Sequence, residues 1–214
     1  MYYYPYTNML EQCYMMQQQA NSRIRVLHAV PNAPAVDVYA NDNLIVKNLA
    51  YKETSPYLPV PSGNYNIKVY PTGETKNPVI DSSVYVPANS IYTIAAIGEL
   101  PDISLYPIQE PISPNNTGMA CVRFIHLSPN APPVDIKLPD GTIVFSNVPY
   151  KSIACYTCVP AGTYTFRVSP AGTDNVVLTV PDVRLNANTL YTIYPVGLVG
   201  DEPALEALLV TEPR

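Results

Sequence analysis

One histidine and one aspartate occur in a stretch of fifteen residues that this chain contains twice. RVLHAVPNAPAVDVY and RFIHLSPNAPPVDIK have the same pattern, so His28 and Asp37 in the first copy match His126 and Asp135 in the second. A histidine at the end of one strand and an aspartate at the start of the next can lie within hydrogen-bonding distance. Such a pair can act as a general base or bind a metal ion.

The same four residues also suit a structural role. In this interpretation each histidine bonds loop carbonyls and each aspartate accepts N–H groups of the turn, beside prolines that make the strand exit rigid. No Ser or Cys nucleophile accompanies the pair in both copies, and one histidine per copy is too few for a typical zinc site. We therefore predict that His28, Asp37, His126 and Asp135 brace the fold. We expect no catalytic, cofactor-binding or metal-binding residues, and no enzyme.

The cysteines are the other candidates for chemistry: Cys13, Cys121, Cys155 and Cys158. Cys155-x-x-Cys158 has the spacing of a redox or zinc motif, but redox pairs of this kind stand at a helix start, whereas the flanking SIACYTCVPAG indicates strand and turn. Side chains three apart on a strand face opposite sides, which disfavours a bond between them. Unpaired thiols, bonds within one chain and a zinc site remain alternatives. Our candidate intermolecular disulfide joins Cys13 of one subunit to Cys155 or Cys158 of another.

Composition restricts the partners and the location. The net charge is −5 and the 12 Lys and Arg residues are scattered, which argues against a nucleic-acid interface. No apolar run reaches the roughly 18 residues that a bilayer crossing requires. The opening MYYYPYTNMLEQCYMM has neither a charged nor an apolar signal region. We expect an extracellular or spore-surface location reached without a secretory signal, for example after lysis of a mother cell, with a cytoplasmic location as the alternative.

The repeat extends over most of the chain and predicts its fold. VPSGNYNIKV (60–69) matches VPAGTYTFRV (159–168), and ANSIYTI (88–94) matches ANTLYTI (187–193). NYNIKVY and TYTFRVS alternate polar and apolar residues as half-buried strands do. Turn signals such as PSG, PDG and PAN recur about every eight to twelve residues, which is typical of a sandwich. We predict an all-β protein of two tandem Ig-like or transthyretin-like antiparallel β-sandwiches.

The repeat also sets the predicted domain boundaries. These are an N-terminal Tyr/Met-rich arm (1–22), a first sandwich (23–111), a linker (112–120) and a second sandwich (121–214). The linker is assigned because PISPNNTGM is polar, contains prolines and does not alternate. Since the linker is short, we expect the sandwiches to sit end to end with limited freedom.

Three motifs occurring together in order carry a family resemblance. H-x-x-P-N-A-P-x-V-D is followed by V-P-x-G-x-Y, then by A-N-x-x-Y-T-I and a glycine, in both halves. This pattern resembles the DUF4397 family, a domain of unknown function. The resemblance implies a β-sandwich found mostly in bacterial envelope or extracellular proteins, often in tandem. It implies no established activity and no catalytic residues.

The segment before the repeats is unusually apolar for a chain end. Glu11 is the only acidic residue in 1–20, and no Lys or Arg precedes Arg23, whereas a solvated tail is rich in charge. This segment either folds back on its own first domain, as a helix or strand, or docks on a neighbouring subunit as an added strand or a helix in a groove. Plain disorder is the remaining alternative. The residues assigned to such an assembly arm are Tyr2, Tyr3, Tyr4, Tyr6, Met9, Leu10 and Tyr14.

These features favour a non-enzymatic structural protein. We expect a fibre, appendage or coat subunit that self-assembles on a bacterial cell or spore surface through its arm, with disulfide cross-links as a further element. Its partners would be copies of itself, in a homo-oligomer or polymer. The alternative is a surface adhesion or carbohydrate-binding module that uses loops or exposed tyrosines, although Trp, the usual sugar platform, is absent.

Overall fold

The structure is a computed structural model that describes residues 22–112 and 117–212. Every regular element in these two ranges is a β-strand, so the all-β prediction is confirmed. The predicted assembly arm, with Cys13 and its tyrosines and methionines, lies outside the described residues.

The first domain consists of two four-stranded sheets. An inner sheet has the order β4-β1-β7-β8 and an outer sheet the order β3-β2-β5-β6. Strands β1 and β7 run parallel, and the other pairs are antiparallel. The strands are β1 (Ser22–His28), β2 (Val36–Ala40), β3 (Asn43–Leu49), β4 (Leu58–Val60), β5 (Gly63–Pro71), β6 (Ile80–Val86), β7 (Ile91–Glu99) and β8 (Asp102–Glu110).

The second domain repeats this topology. Its inner sheet has the order β12-β9-β15-β16 and its outer sheet the order β11-β10-β13-β14, again with one parallel pair, β9 and β15. The strands are β9 (Ala120–Phe124), β10 (Val134–Lys137), β11 (Ile143–Val148), β12 (Thr157–Val159), β13 (Gly162–Pro170), β14 (Leu178–Leu185), β15 (Leu190–Val196) and β16 (Glu206–Thr211).

Alternation along the strands builds a core inside each sandwich. On β5, Ile67 and Val69 are buried, whereas the residues between and before them are more exposed. Their side chains pack with those of the facing inner sheet, including Val26 and Ile94, in the first core. This is the period of two that a sheet with one solvated face requires. The outer sheets therefore carry the amphipathic pattern that the sequence displays.

The inner strands are different, because they are buried on both faces. On β1, Val26 belongs to the first core, whereas the neighbouring Leu27 packs into a separate apolar layer between the domains. That interdomain layer consists of Leu27, Ala29, Ala95, Ile97 and Ile108 from the first domain with Ile125, Leu127, Tyr194 and Val196 from the second. The two inner sheets thus face each other, and the molecule has four sheet layers. The expected end-to-end arrangement is wrong, since the sandwiches pack face to face through their inner sheets. This packing removes the second apolar face of each inner sheet from water.

Candidate functional site

Both histidines of the repeated motif lie at the end of their first strand and bond to the loop that follows. Nδ1 of His28 accepts the N–H of Val30 at 3.3 Å, so Nε2 carries the proton and donates to the carbonyl of Pro34 at 3.0 Å. Nδ1 of His126 accepts the N–H of Ser128, and its Nε2 lies 3.3 Å from the carbonyl of Pro132. Burial lowers the pKa of both imidazoles, which favours neutral rings with both nitrogens occupied by backbone groups.

Each aspartate bonds to a neighbouring strand and to a turn of its own sandwich. Asp37 accepts the N–H of Asn48 at 2.8 Å and the N–H of Gly73 at 3.1 Å. Asp135 accepts the corresponding N–H groups of Asn147, at 2.8 Å, and Gly172, at 2.9 Å. These N–H bonds lower the pKa of Asp135. The motif therefore ties β1 or β9 to the loop that follows it, and ties the next strand to β3 or β11 and to the turn at Gly73 or Gly172.

A larger polar group lies where the two domains meet, and its first half centres on Arg25. Nη2 of Arg25 donates to Oε2 of Glu212 at 2.7 Å and lies 3.5 Å from Oε1 of Glu110. Nε of Arg25 donates to the hydroxyl of Thr93 at 2.8 Å, and that hydroxyl donates to Oε1 of Glu110 at 2.6 Å. The ring of Tyr57 lies against the guanidinium, with 4.8 Å from its centroid to Cζ.

The second half repeats this arrangement around Arg123. Nη2 of Arg123 donates to Oε2 of Glu110, and its Nε donates to the hydroxyl of Thr192 at 2.9 Å. The Thr192 hydroxyl in turn donates to Oε1 of Glu212. Tyr156 takes the place of Tyr57, with its ring centroid 4.9 Å from Cζ of Arg123. Each arginine is thus paired to the glutamate of the other domain, in a ring of four charges with an approximate twofold relation.

The ring of two arginines and two glutamates is enclosed. Both glutamate side chains are fully buried, and the arginine side chains are at most 5% exposed. Although burial disfavours the charged form, Glu212 raises the pKa of Arg25 and Glu110 raises the pKa of Arg123. Burial, and then the neighbouring Glu212, raise the pKa of Glu110 to about 7. A closed ring without access from solvent can hold two domains together, but it cannot receive a substrate.

Sequence reasoning missed this ring. Arg25 and Arg123 begin the quoted repeat, each directly before apolar residues of a strand, and a charged residue that becomes buried there must find a partner. The glutamates stand in QEP (109–111) and TEP (211–213), which the two repeats also share. An arginine and a glutamate that recur at matching positions of both repeats were the available signal.

The cysteines differ from the prediction. Cys158 is bonded to Cys121 within the chain, across the antiparallel pair formed by β12 and β9. Cys158 is therefore not available for the candidate intermolecular disulfide. The flanking sequence did not indicate this bond, because it depends on β12 lying beside β9. Cys155 is exposed and free. In the first domain the corresponding cross-strand pair is Arg23 and Pro59.

A comparison with protein-family models identifies the domains. The model of DUF4397, a domain of unknown function, matches residues 22–137 and 138–214. The chain belongs to the DUF4397 family. Two DUF4397 matches in tandem agree with the repeated topology, although the matched ranges divide at residue 137, inside the second sandwich, whereas that sandwich starts with β9 at Ala120.

The DUF4397 pair is also similar to solved structures at low identity. A family 26 carbohydrate-binding module of Eubacterium rectale Amy13K, solved in complex with maltoheptaose, has 10% identity and a TM-score of 0.28, over 91% of this chain and 98% of that one. The Bacillus anthracis TIE protein has 11% identity and a TM-score of 0.27, over 82% of this chain and 33% of that one. This chain thus spans about a third of the TIE chain. No curated protein matches the sequence.

No helix in the described ranges has the length and apolar character needed to traverse a bilayer. Between residues 22 and 112 and between 117 and 212, no group of three or more His, Cys, Asp or Glu side chains is placed to bind a metal ion.

Proposed function

We propose that this tandem DUF4397 protein is a non-enzymatic structural subunit that self-assembles on a bacterial cell or spore surface through its N-terminal segment. The observation that carries the proposal is the buried ring of Arg25, Glu110, Arg123 and Glu212. It fixes two sandwiches as one block, and it uses ionisable groups for cohesion. The repeated histidines and aspartates are likewise occupied by backbone groups of their own sandwich.

Further contacts between the domains support a rigid block. Nζ of Lys52 lies 2.9 Å from Oε1 of Glu206, and the Tyr106 hydroxyl donates to the carbonyl of Lys151 at 2.5 Å. Together with the interdomain apolar layer, these bonds restrict hinge motion between the sandwiches. A rigid block of this kind suits a subunit that bears load in an assembly or sets a fixed distance between its neighbours.

The surface of the block offers places for a neighbouring copy. The outer sheet of the first domain ends in β3 on one side and β6 on the other. Such edge strands have unpaired N–H and C=O groups that accept an added strand. Segment 1–20, with its tyrosines, Met9 and Leu10, is the part of the chain that we assign to this contact. The exposed thiol of Cys155 remains as a partner for Cys13 of another subunit.

The test compares the full chain with a variant lacking residues 1–20. We expect the full chain to form multimers in sedimentation velocity and fibres or sheets in negative-stain electron microscopy, and the shortened chain to sediment as a folded monomer. Reductant and Cys155→Ser should each weaken the multimers without changing the monomer's circular dichroism. If the shortened chain assembles to the same extent as the full chain, the proposed role of the arm is wrong.

One observation favours the alternative of a surface adhesion or carbohydrate-binding module. Tyr85 on the edge strand β6 is 63% exposed, and an exposed aromatic ring can stack on a sugar. This function predicts a monomeric full chain that binds a polysaccharide and loses the affinity in Tyr85→Ala. Uniform monomers in the microscope together with such binding would replace the assembly proposal.

A further inference from the structure

The first sandwich contains an apolar pocket between its two sheets. The pocket has a volume of about 180 Å³ and lies beyond the end of β1, where the loop after His28 leaves the sheet. Only apolar atoms of the lining face it. Its wall includes Val30, Val36, Val69 and Ala96, and these four side chains are all nearly or fully buried.

The opening of the pocket is also apolar. Val79 is 40% exposed and Leu100 is 46% exposed, and both belong to the lining. Large apolar side chains left in contact with water around a cavity mark sites of binding. Pro34 and Pro71 also line the pocket. Their rings fix the local backbone, so the opening is formed before any ligand arrives.

Below this pocket the core of the first sandwich is incompletely filled. A second void of about 10 Å³ lies deeper and shares His28, Val36, Val69 and Ala96 with the pocket. The second sandwich has larger side chains in its core, since Phe124, Phe145 and Phe166 are all buried there. By strand register, their counterparts in the first sandwich are Val26, Val46 and Ile67. The three phenylalanines of the chain all occur in the second domain, so the two domains have diverged in how their interiors are filled.

The lining offers no free polar group to a ligand. Both imidazole nitrogens of His28 are bonded to the backbone, through Val30 and Pro34. A ligand with a charge or a hydrogen-bonding group inside the pocket would lose its water without replacement. The chemistry of the lining therefore selects hydrocarbon.

We propose that this pocket is a binding site for a small hydrocarbon group, about the size of an alkylbenzene ring. A preformed apolar cavity of ~150 Å³ in another protein stays dry and binds benzene, and the pocket here is slightly larger. The site belongs to the first domain and is independent of assembly through the arm.

Toluene is the probe for the test, with the full chain carrying isotope-labelled methyl groups. We expect the methyl signals of Val30, Val79, Ala96 and Leu100 to shift in a saturable way in nuclear magnetic resonance spectra. Ala96→Leu places a branched side chain into the pocket and into the deeper void, and should lower toluene affinity at least tenfold. Absence of saturable shifts, or unchanged affinity in Ala96→Leu, would overturn the site.

A rim substitution provides a second test that leaves the core untouched. Leu100→Asn should weaken toluene binding. Val199 occupies the position of Leu100 in the second repeat, and Val199→Asn should leave toluene binding unchanged. Equal effects of both changes would refute assignment to the first domain. The variant lacking residues 1–20 should bind toluene as the full chain does. A gain of affinity on this deletion would mean that the arm, and not a small molecule, occupies the pocket.

Discussion

Arg25 and Glu212 are separated by 187 positions in the sequence, yet Nη2 of Arg25 donates to Oε2 of Glu212 at 2.7 Å between two domains. Neither side chain is more than 4% exposed. The hydrogen bond is short and shielded from solvent, so its partners depend on each other more than a surface pair would.

Neutralising one member of this pair should destabilise the whole molecule. Glu212→Gln leaves two buried guanidinium groups with one carboxylate, and removing one partner of a buried pair typically lowers the free energy of unfolding by about 3–5 kcal/mol. Urea denaturation followed by circular dichroism measures the change. Glu206→Gln is the matched control, because it removes the half-exposed pair with Lys52, and should cost no more than about 1 kcal/mol. Equal effects would show that the ring does not stabilise the interface.

The ring should also respond to pH through Glu110. Its pKa is raised from an ordinary value of 4.5 to about 7, by burial first and by Glu212 second. A raised carboxylate pKa means that the folded state binds the proton more tightly, so the contribution of Glu110 to stability is present below pH 4.5 and is lost as pH rises through 7.

Glu110→Gln isolates that contribution. The free energy of unfolding of the variant, subtracted from that of the original chain at each pH, should give a difference that becomes smaller between pH 4.5 and 7. We expect to measure this in urea titrations over that range. A difference that grows with pH would mean that the folded state instead favours the ionised form of Glu110.

Asp135 should stabilise the second sandwich by bonding backbone N–H groups of β11 and of the turn at Gly172. Asp135→Ala removes the acceptor for the N–H groups of Asn147 and Gly172, and a lost acceptor of this kind costs about 1–3 kcal/mol. Because these bonds lower the pKa below 3.8, the carboxylate contributes above that value and loses its contribution as pH falls.

Thermal unfolding of Asp135→Ala at neutral and acidic pH measures both effects. The loss of stability caused by Asp135→Ala should be larger at pH 7 than at pH 3. Asp174→Ala serves as a control, since the side chain of Asp174 is 99% exposed in its pair with Lys137. An Asp135→Ala variant as stable as the original would contradict the assigned bonds.

The Cys121–Cys158 disulfide should contribute stability without being required for folding. The first domain has the same topology with Arg23 and Pro59 at these positions, so the double variant with both cysteines replaced by serine should still fold. Closing a loop of 37 residues stabilises by about 3–4 kcal/mol in the chain-entropy account. Cys155→Ser should leave the melting temperature unchanged, because that thiol is exposed and free. A double variant that melts at the original temperature would show that the bond is not formed.

The sequence predicts which residues of a strand are buried when the other face of that strand is polar. The alternation in NYNIKVY predicts that Ile67 and Val69 face the core, and both are buried on β5. The inner strands were harder, because β1 has apolar residues on both faces, and a single sequence does not say what covers the second one. The structure shows that the other domain covers the face that carries Leu27 and Ala29.

The side-chain partners were predictable only where they are local. The bond from His28, at the end of β1, to Pro34 in the following loop spans only six residues, and the repeated Pro-Asn-Ala-Pro sequence indicates such a local contact. The partner of Arg25, Glu212, comes from the residue that follows the last strand of the other domain. The pairing of Cys121 with Cys158 depends on β12 lying beside β9, and strand order is a property of the tertiary fold.

The crossed pairing of arginines and glutamates makes the two sandwiches one unit of cooperativity. A half-chain prepared alone would expose the apolar face of its inner sheet and lack the second carboxylate for its arginine. Two identical first halves, however, carry the same complementary groups, so each could supply Glu110 to the Arg25 of its twin. The tandem chain therefore has the organisation of a symmetric dimer whose two subunits have been joined by a peptide, which fixes their ratio and makes their association independent of concentration.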